Sequence, residues 1–243
     1  MRKNGLFYLL AVSAVFFVKV CADTADSDAL VWILTPVSGW VQILSGISFE
    51  YVAHVGYVSH AYRFIIAPSC AGVRFLLLTF MMLIFSFTHL AGTQRKKVFW
   101  FAFCVGFSYI TTVLVNGIRI VISIYLPLFL ADKGLLPGWL TAKRLHTMIG
   151  TAVYFSFLFV IYFLAGKLCM KFFGAPHSAK AVRHGKKLVA PVFWYFVTVL
   201  FFPLLSRIYH NQWAGFGQYA LLVTGICAVI VLFWVLITRR ADA

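Results

Sequence analysis

Apolar residues fall in long continuous runs along this chain, punctuated by short polar turns. The first runs from Gly5 to about Val20 behind Arg2 and Lys3. The next, Cys70 to Leu90, stops at Gly92 and the basic turn Arg95-Lys96-Lys97. Val98 to Leu130 is apolar for about 33 residues, roughly 50 Å as one helix. That exceeds a hydrocarbon core of ~30 Å, so its far end near Pro127 is expected to bend or to project beyond the lipid. A polar turn over 131–145 leads into His146 to about Leu168, and a basic stretch follows over 167–187. Two further runs, about Leu188–Leu205 and Tyr219–Ile237, end at Arg239-Arg240. The runs do not alternate as barrel strands do. The pattern predicts an all-α polytopic transmembrane bundle, one integral membrane domain over 1–243.

Two stretches are less plain. Residues 1–20 read as an uncleaved first span, with a cleavable signal peptide as the alternative, because Lys19-Val20 precedes a poor small-x-small cleavage site at Cys21-Ala22-Asp23. Ala29 to Ile47 is apolar but broken by Pro36, Gly39 and Gly46. It reads either as a short re-entrant or interfacial segment or as half of a membrane hairpin with the stretch after Phe49. The count is six spans in the first case and eight in the second.

Composition fits the pattern. Of 243 residues, 63% are hydrophobic and 11% charged, which excludes a soluble globular domain and disorder alike. The net charge of +15 in such a chain points to orientation in a membrane and contact with anionic lipid, and not to nucleic acid. Placing both termini, the 91–97 turn and the 167–187 loop in the cytoplasm puts 13 of the 21 Lys and Arg there, while five of the six acids fall outside. Of the five cysteines none forms a CxxC pair. No carboxylate or third ligand accompanies His54 and His60 at metal spacing, and no metal or other cofactor is expected. His177 and His184 belong to the basic loop.

This topology brings three chemically distinctive residues to the outer membrane face. Cys70 opens one span, His146 opens another, and Arg119 lies about 21 residues above the cytoplasmic start of the long helix. A thiol, an imidazole and a guanidinium suit nucleophilic acyl transfer. Cys70 lies in Pro68-Ser69-Cys70-Ala71-Gly72. A helix N-terminus there, and Arg74 at i+4, would favour its thiolate. A buried structural cysteine, or a disulfide with Cys21, is the alternative. Asn116, Arg119 and Ser123 share a helical face, which must point into protein or a wet cavity. An arginine snorkelling to the interface is the alternative there. Gly150, one turn from His146, leaves space beside the imidazole, which would otherwise be an ordinary interfacial histidine. Gly106-Phe107-Ser108-Tyr109 imitates an intramembrane serine protease motif but falls far from His146.

Taken in order, Pro68-Ser69-Cys70-Ala71-Gly72, Asn116-Gly117-Ile118-Arg119-Ile120 and His146-Thr147-Met148-Ile149-Gly150 resemble the motifs of exosortases and archaeosortases. The resemblance covers about residues 60–165; two additional spans, about 188–238, lie outside it. Ala71 stands where the family more usually has Ser. The resemblance implies a prokaryotic membrane cysteine protease/transpeptidase in the bacterial cytoplasmic (inner) membrane. It would act on exported proteins bearing a C-terminal sorting signal: a short motif, a transmembrane helix and a basic tail. Cys70 would be the nucleophile, His146 the general acid/base and Arg119 the oxyanion stabiliser, with Asn116 orienting Arg119. The acyl chain would pass to an acceptor molecule whose nature the residues do not give. The rival expectation is a non-enzymatic transporter or lipid-binding protein using Arg119 and His146 as an ion or anion path.

Overall fold

A computed structural model of the chain describes residues 2–135, 137–173, 184–209 and 215–241. Of the residues singled out above, His177 lies outside the described residues, as do the side chains of Arg2, Lys3, His184, Arg239 and Arg240. The helices are α1 (Arg2–Thr24), α2 (Val31–Ser45), α3 (Val73–Phe87), α4 (Gln94–Asp132), α5 (Ala142–Phe173), α6 (His184–Phe196), α7 (Phe202–Tyr209) and α8 (Phe216–Ala241). Among the described residues, six segments are long and apolar enough to cross a membrane: Asn4–Thr24, Pro68–Leu90, Gln94–Asp132, Ala142–Phe173, Val189–Tyr209 and Phe216–Leu236. The chain is thus a polytopic helical bundle.

Residues 29–67 resolve the open choice between six and eight spans. They hold no membrane hairpin. The apolar part is α2, 15 residues long and too short to span. The remainder is a three-stranded antiparallel sheet in the order β1 (Glu50–Val52), β2 (Gly56–Ser59), β3 (Phe64–Ile66). Gly46 ends α2 in the left-handed conformation, φ 70°, a common way to stop a helix.

In Pro68–Leu90, 67% of the most apolar window is buried, against 11% for the first span and for each of the last two. The third helix is therefore the axis of the bundle, and α1, α6–α7 and α8 are its outer members. α4 packs on α2, α3 and α5. Lipid supplies no hydrophobic drive for helices to associate, so close packing and hydrogen bonds must do it. The α2–α4 seam shows both. Pro36 has no N–H, so the Trp32 carbonyl has no intrahelical partner. Tyr109 of α4 donates to it at 2.7 Å. Trp40 donates to the Leu114 carbonyl at 3.1 Å, and its ring lies so close that any Cβ at Gly117 would collide with it. Tyr125 donates to the Ser45 carbonyl at 3.2 Å.

α4 is one continuous helix of 39 residues with Pro127 inside it, about 58 Å long. At that length it exceeds a hydrocarbon core of ~30 Å, and so does α5, at 32 residues, beside it. Because α3, α4 and α5 alternate in direction, the start of α3, the far part of α4 and the start of α5 share one end of the bundle. The basic residues Arg95, Lys96, Lys97, Lys167 and Lys171 belong to the other end.

Candidate active site

A cavity of about 580 Å³ opens at that shared end. Its wall takes Lys19 and Asp23 from the end of α1, Ser69, Gly72 and Arg74 around the start of α3, Arg119 from α4, and His146, Gly150 and Tyr154 from α5. Thr198, Val199, Pro203 and Tyr219 complete it from the last two spans. The segment outside the family resemblance therefore builds part of the same cavity. Pro203 explains its local shape. Without a proline N–H the Val199 carbonyl loses its i+4 donor, the backbone widens into a π-helical turn over Val197–Phe201, and the Tyr219 hydroxyl donates to the freed carbonyl at 3.3 Å.

Arg119 is 5% exposed and has no carboxylate within ion-pair distance among the described residues. Neutral groups hold it. Nη1 donates to Asn116 Oδ1 at 3.1 Å and to the Tyr154 hydroxyl at 3.0 Å, and Nη2 donates to His146 Nε2. A guanidinium can only donate, so Nε2 carries the lone pair and the ring proton of a neutral His146 sits on Nδ1. The Tyr154 hydroxyl in turn donates to Asn116 Oδ1 at 2.6 Å, and its ring lies under the guanidinium, 5.4 Å from Cζ to centroid. Phe75 also stacks on that ring, with centroids 4.5 Å apart. Asn116, fully buried, spends its amide N–H on the Cys70 carbonyl at 2.6 Å. One network thus ties the start of α3, the middle of α4 and the start of α5.

The turn bearing Cys70 is set by its sequence. Pro68 opens a 3-10 turn over Pro68–Cys70, and the Cys70 N–H bonds back to the Ala67 carbonyl at 2.8 Å. Gly72 then takes φ 80°, and a Cβ there would lie 2.9 Å from Asn116 Cγ. Only glycine meets both conditions. Three expectations change here. Ser69 makes no side-chain cap. Arg74 is not one helical turn above Cys70, because the left-handed Gly72 interrupts the helix between them; Arg74 is exposed on the cavity wall instead. No disulfide joins Cys21 to Cys70, for both thiols are free.

The sequence trio is brought together unequally. Arg119 and His146 touch, Asn116 braces Arg119, and Gly150 borders the same cavity. The space at Gly150 faces Arg119 Nε and not the imidazole. Cys70 is joined through its carbonyl, while its side chain is buried in an apolar cluster with Ile66, Leu77 and Ile120 behind the cavity wall. Tyr154 was missed in the sequence, although His146, Gly150 and Tyr154 recur at every fourth position of one α5 face. Lys19, Arg74 and Arg119 give the cavity a positive lining, since its one acid, Asp23, pairs with Lys19 at 2.5 Å. Such a lining favours negative charge developing on a bound group.

A second cluster corrects the reading of His54. Its Nδ1 lies 3.3 Å from Asp26 and 3.0 Å from Asp28, so two carboxylates accompany it after all. Both carboxylates are already engaged. Asp28 accepts from the Tyr51 hydroxyl and the His54 N–H, and Asp26 from the Ala29 N–H. The Tyr51 hydroxyl bond holds the Asp28 carboxyl below its ordinary range, and the Ala29 N–H bond does the same for Asp26. The cluster fastens the small sheet to the α1–α2 turn.

Compared with known proteins, the chain matches no family model, and neither a curated protein nor a solved structure matches it.

Proposed function

We propose that the protein is a membrane cysteine protease/transpeptidase of the exosortase type, acting on exported proteins with a C-terminal sorting signal. The observation that carries this reading is the network from the Cys70 carbonyl through Asn116 and Arg119 to His146, set on the wall of one cavity. Residues from three separate helices converge there with the chemistry acyl transfer needs.

In this reading the thiol proton of Cys70 passes to the His146 Nε2 lone pair as Arg119 Nη2 gives it up. The thiolate sulfur bonds to the scissile carbonyl carbon, and the carbonyl electron pair moves to oxygen, where Arg119 donates. The tetrahedral state collapses as the C–N bond breaks, and His146 returns the proton to the leaving amine. An acceptor nucleophile then displaces the thioester by the same steps in reverse order. The turn at Gly72 must bring the thiol from its apolar cluster to the cavity when substrate enters.

The proposed setting is a bacterial cytoplasmic membrane, both termini inside and the cavity outside. The basic ends of α4 and α5, opposite the cavity, support this orientation. Two additional spans would belong to the substrate path, since Thr198 and Tyr219 line it.

The buried position of the thiol favours one rival, a transporter or lipid-binding protein that uses Arg119 and His146 as an anion path. The test is co-expression with a tagged protein from the same genome that carries a sorting signal. Cys70→Ala is expected to abolish the mature band while the enzyme stays in the membrane. Undiminished processing by that variant would refute the nucleophile and favour the rival.

A further inference from the structure

We propose that α7 is the lipid-side door of the cavity and the surface against which the transmembrane helix of the exported protein docks. The inference rests on the acyl-transfer reading above and adds the route by which the substrate enters. In that reading the scissile carbonyl reaches the cavity while the helix that follows it stays in lipid. The cavity must then open sideways to the bilayer.

One span is built as two halves that differ in how they are anchored. Its first half, α6, is fixed to the bundle. Tyr195 is buried against Phe155, with ring centroids 4.9 Å apart, and Trp194 packs on Phe85 at 5.0 Å. The second half, α7, has no buried side chain. Between them lies the π-helical turn over Val197–Phe201, which has none either. That turn falls where Thr198, Val199 and Pro203 border the cavity. Pro203 removes the backbone bond that would stiffen it. Such turns are rare and gather at functional sites. A short helix joined to a fixed one through a weakened turn can act as a hinge.

The rest of the wall offers no comparable entry. α3, α4 and α5 pack on one another, and α8 packs on α5. The α1 side presents the ion pair of Lys19 and Asp23, which an apolar helix could pass only by leaving lipid for charge. The α7 side presents Val199 and Pro203, and Phe202, Leu204, Leu205 and Ile208 continue the apolar surface. The contacts that hold it shut are light. Arg207 lies over the Phe216 ring at 5.2 Å, and the Tyr219 hydroxyl donates to the Val199 carbonyl at 3.3 Å. A substrate helix entering here supplies close packing in their place, which is what joins helices in lipid.

The test places photo-crosslinking benzoylphenylalanine at Leu204 of the full chain carrying Cys70→Ala, in membranes that also hold the tagged sorting-signal protein. Irradiation is expected to join the two, with the adduct mapping to the transmembrane helix of the tagged protein. The same probe at Val229, on the exposed face of α8, is expected to join nothing. No adduct at Leu204, an adduct to lipid alone, or an equal yield at Val229 overturns the proposal. Pro203→Ala in the otherwise unaltered chain tests the hinge. Restoring one backbone hydrogen bond to the closed span is expected to slow processing about fivefold without lowering the melting temperature. Processing at full rate by that variant overturns the hinge. Cys70→Ala on the processing blot keeps the two claims apart. If that variant is inactive and Leu204 gives no adduct, the door alone fails; if it is active, the acyl-transfer reading fails.

Discussion

Replacing Gly72 by alanine probes the joint between the Cys70 turn and the buried polar network. Two costs add. The backbone at φ 80° and ψ 10° is left-handed, which costs a residue bearing a Cβ about 1–2 kcal/mol. The new methyl would also lie 2.9 Å from Asn116 Cγ and 3.0 Å from Nδ2, closer than real contacts allow. Asn116 is fully buried, so it cannot swing into water. It must shift and stretch its 2.6 Å bond to the Cys70 carbonyl, and an unmet buried pair costs about 1–3 kcal/mol. The expected loss is therefore about 2–5 kcal/mol, whereas Gly→Ala inside an ordinary helix gains about 1 kcal/mol. The assay is a denaturant titration of the purified full chain in mixed micelles, arranged as a double-mutant cycle with Asn116→Ala. With the asparagine gone, only the backbone cost of about 1–2 kcal/mol should remain. An equal cost in both backgrounds would show that Gly72 and Asn116 are not coupled and would refute the account of the turn.

Gly117→Ala is expected to cost about 1–3 kcal/mol by pushing Trp40 off α4, and Trp40→Leu in the same chain should return part of it; a neutral Gly117→Ala melting curve would contradict the close approach. Tyr219→Phe should cost about 1 kcal/mol by leaving the Val199 carbonyl without its donor. Combining it with Pro203→Ala, which restores a backbone N–H one turn on, should cancel most of that loss; strict additivity of the two melting shifts would argue against the link. The Asp28 carboxyl is held below its ordinary range by the Tyr51 hydroxyl, so its contribution is complete at neutral pH and is lost as pH falls through the depressed value. Asp28→Asn should therefore lower the melting temperature at neutral pH and narrow the gap to wild type in acid; a gap that widens in acid would reverse the sign.

The membrane architecture was legible because lipid is an unforgiving solvent. A run of about 20 apolar residues with polar ends has few other fates, so the spans at Cys70, Val98 and His146 stand close to where the pattern placed them. The ends of the trio were legible for a related reason. Helices of fixed rise joined by short turns must alternate in direction, which puts Cys70, Arg119 and His146 at one end of the bundle. Residues 29–67 were not legible, since an apolar stretch of that length suits a short buried helix as well as a membrane hairpin. The pairing that makes 50–66 a sheet depends on neighbours more than on local pattern.

What the sequence determined by itself, then, is the solvent the chain is built for, the direction of each long helix and the face on which Asn116, Arg119 and Ser123 lie. Those follow from hydropathy and from the fixed pitch of a helix, both local properties. What only the tertiary structure decided is which side chains touch across helices. That Tyr154 joins Asn116 and Arg119, that Gly72 stands against Asn116, that the last two spans wall the cavity and that the Cys70 thiol rests behind it all depend on how helices rotate and slide when they pack. Rotation and sliding are set by steric fit between surfaces far apart in the chain, where sequence periodicity carries no information.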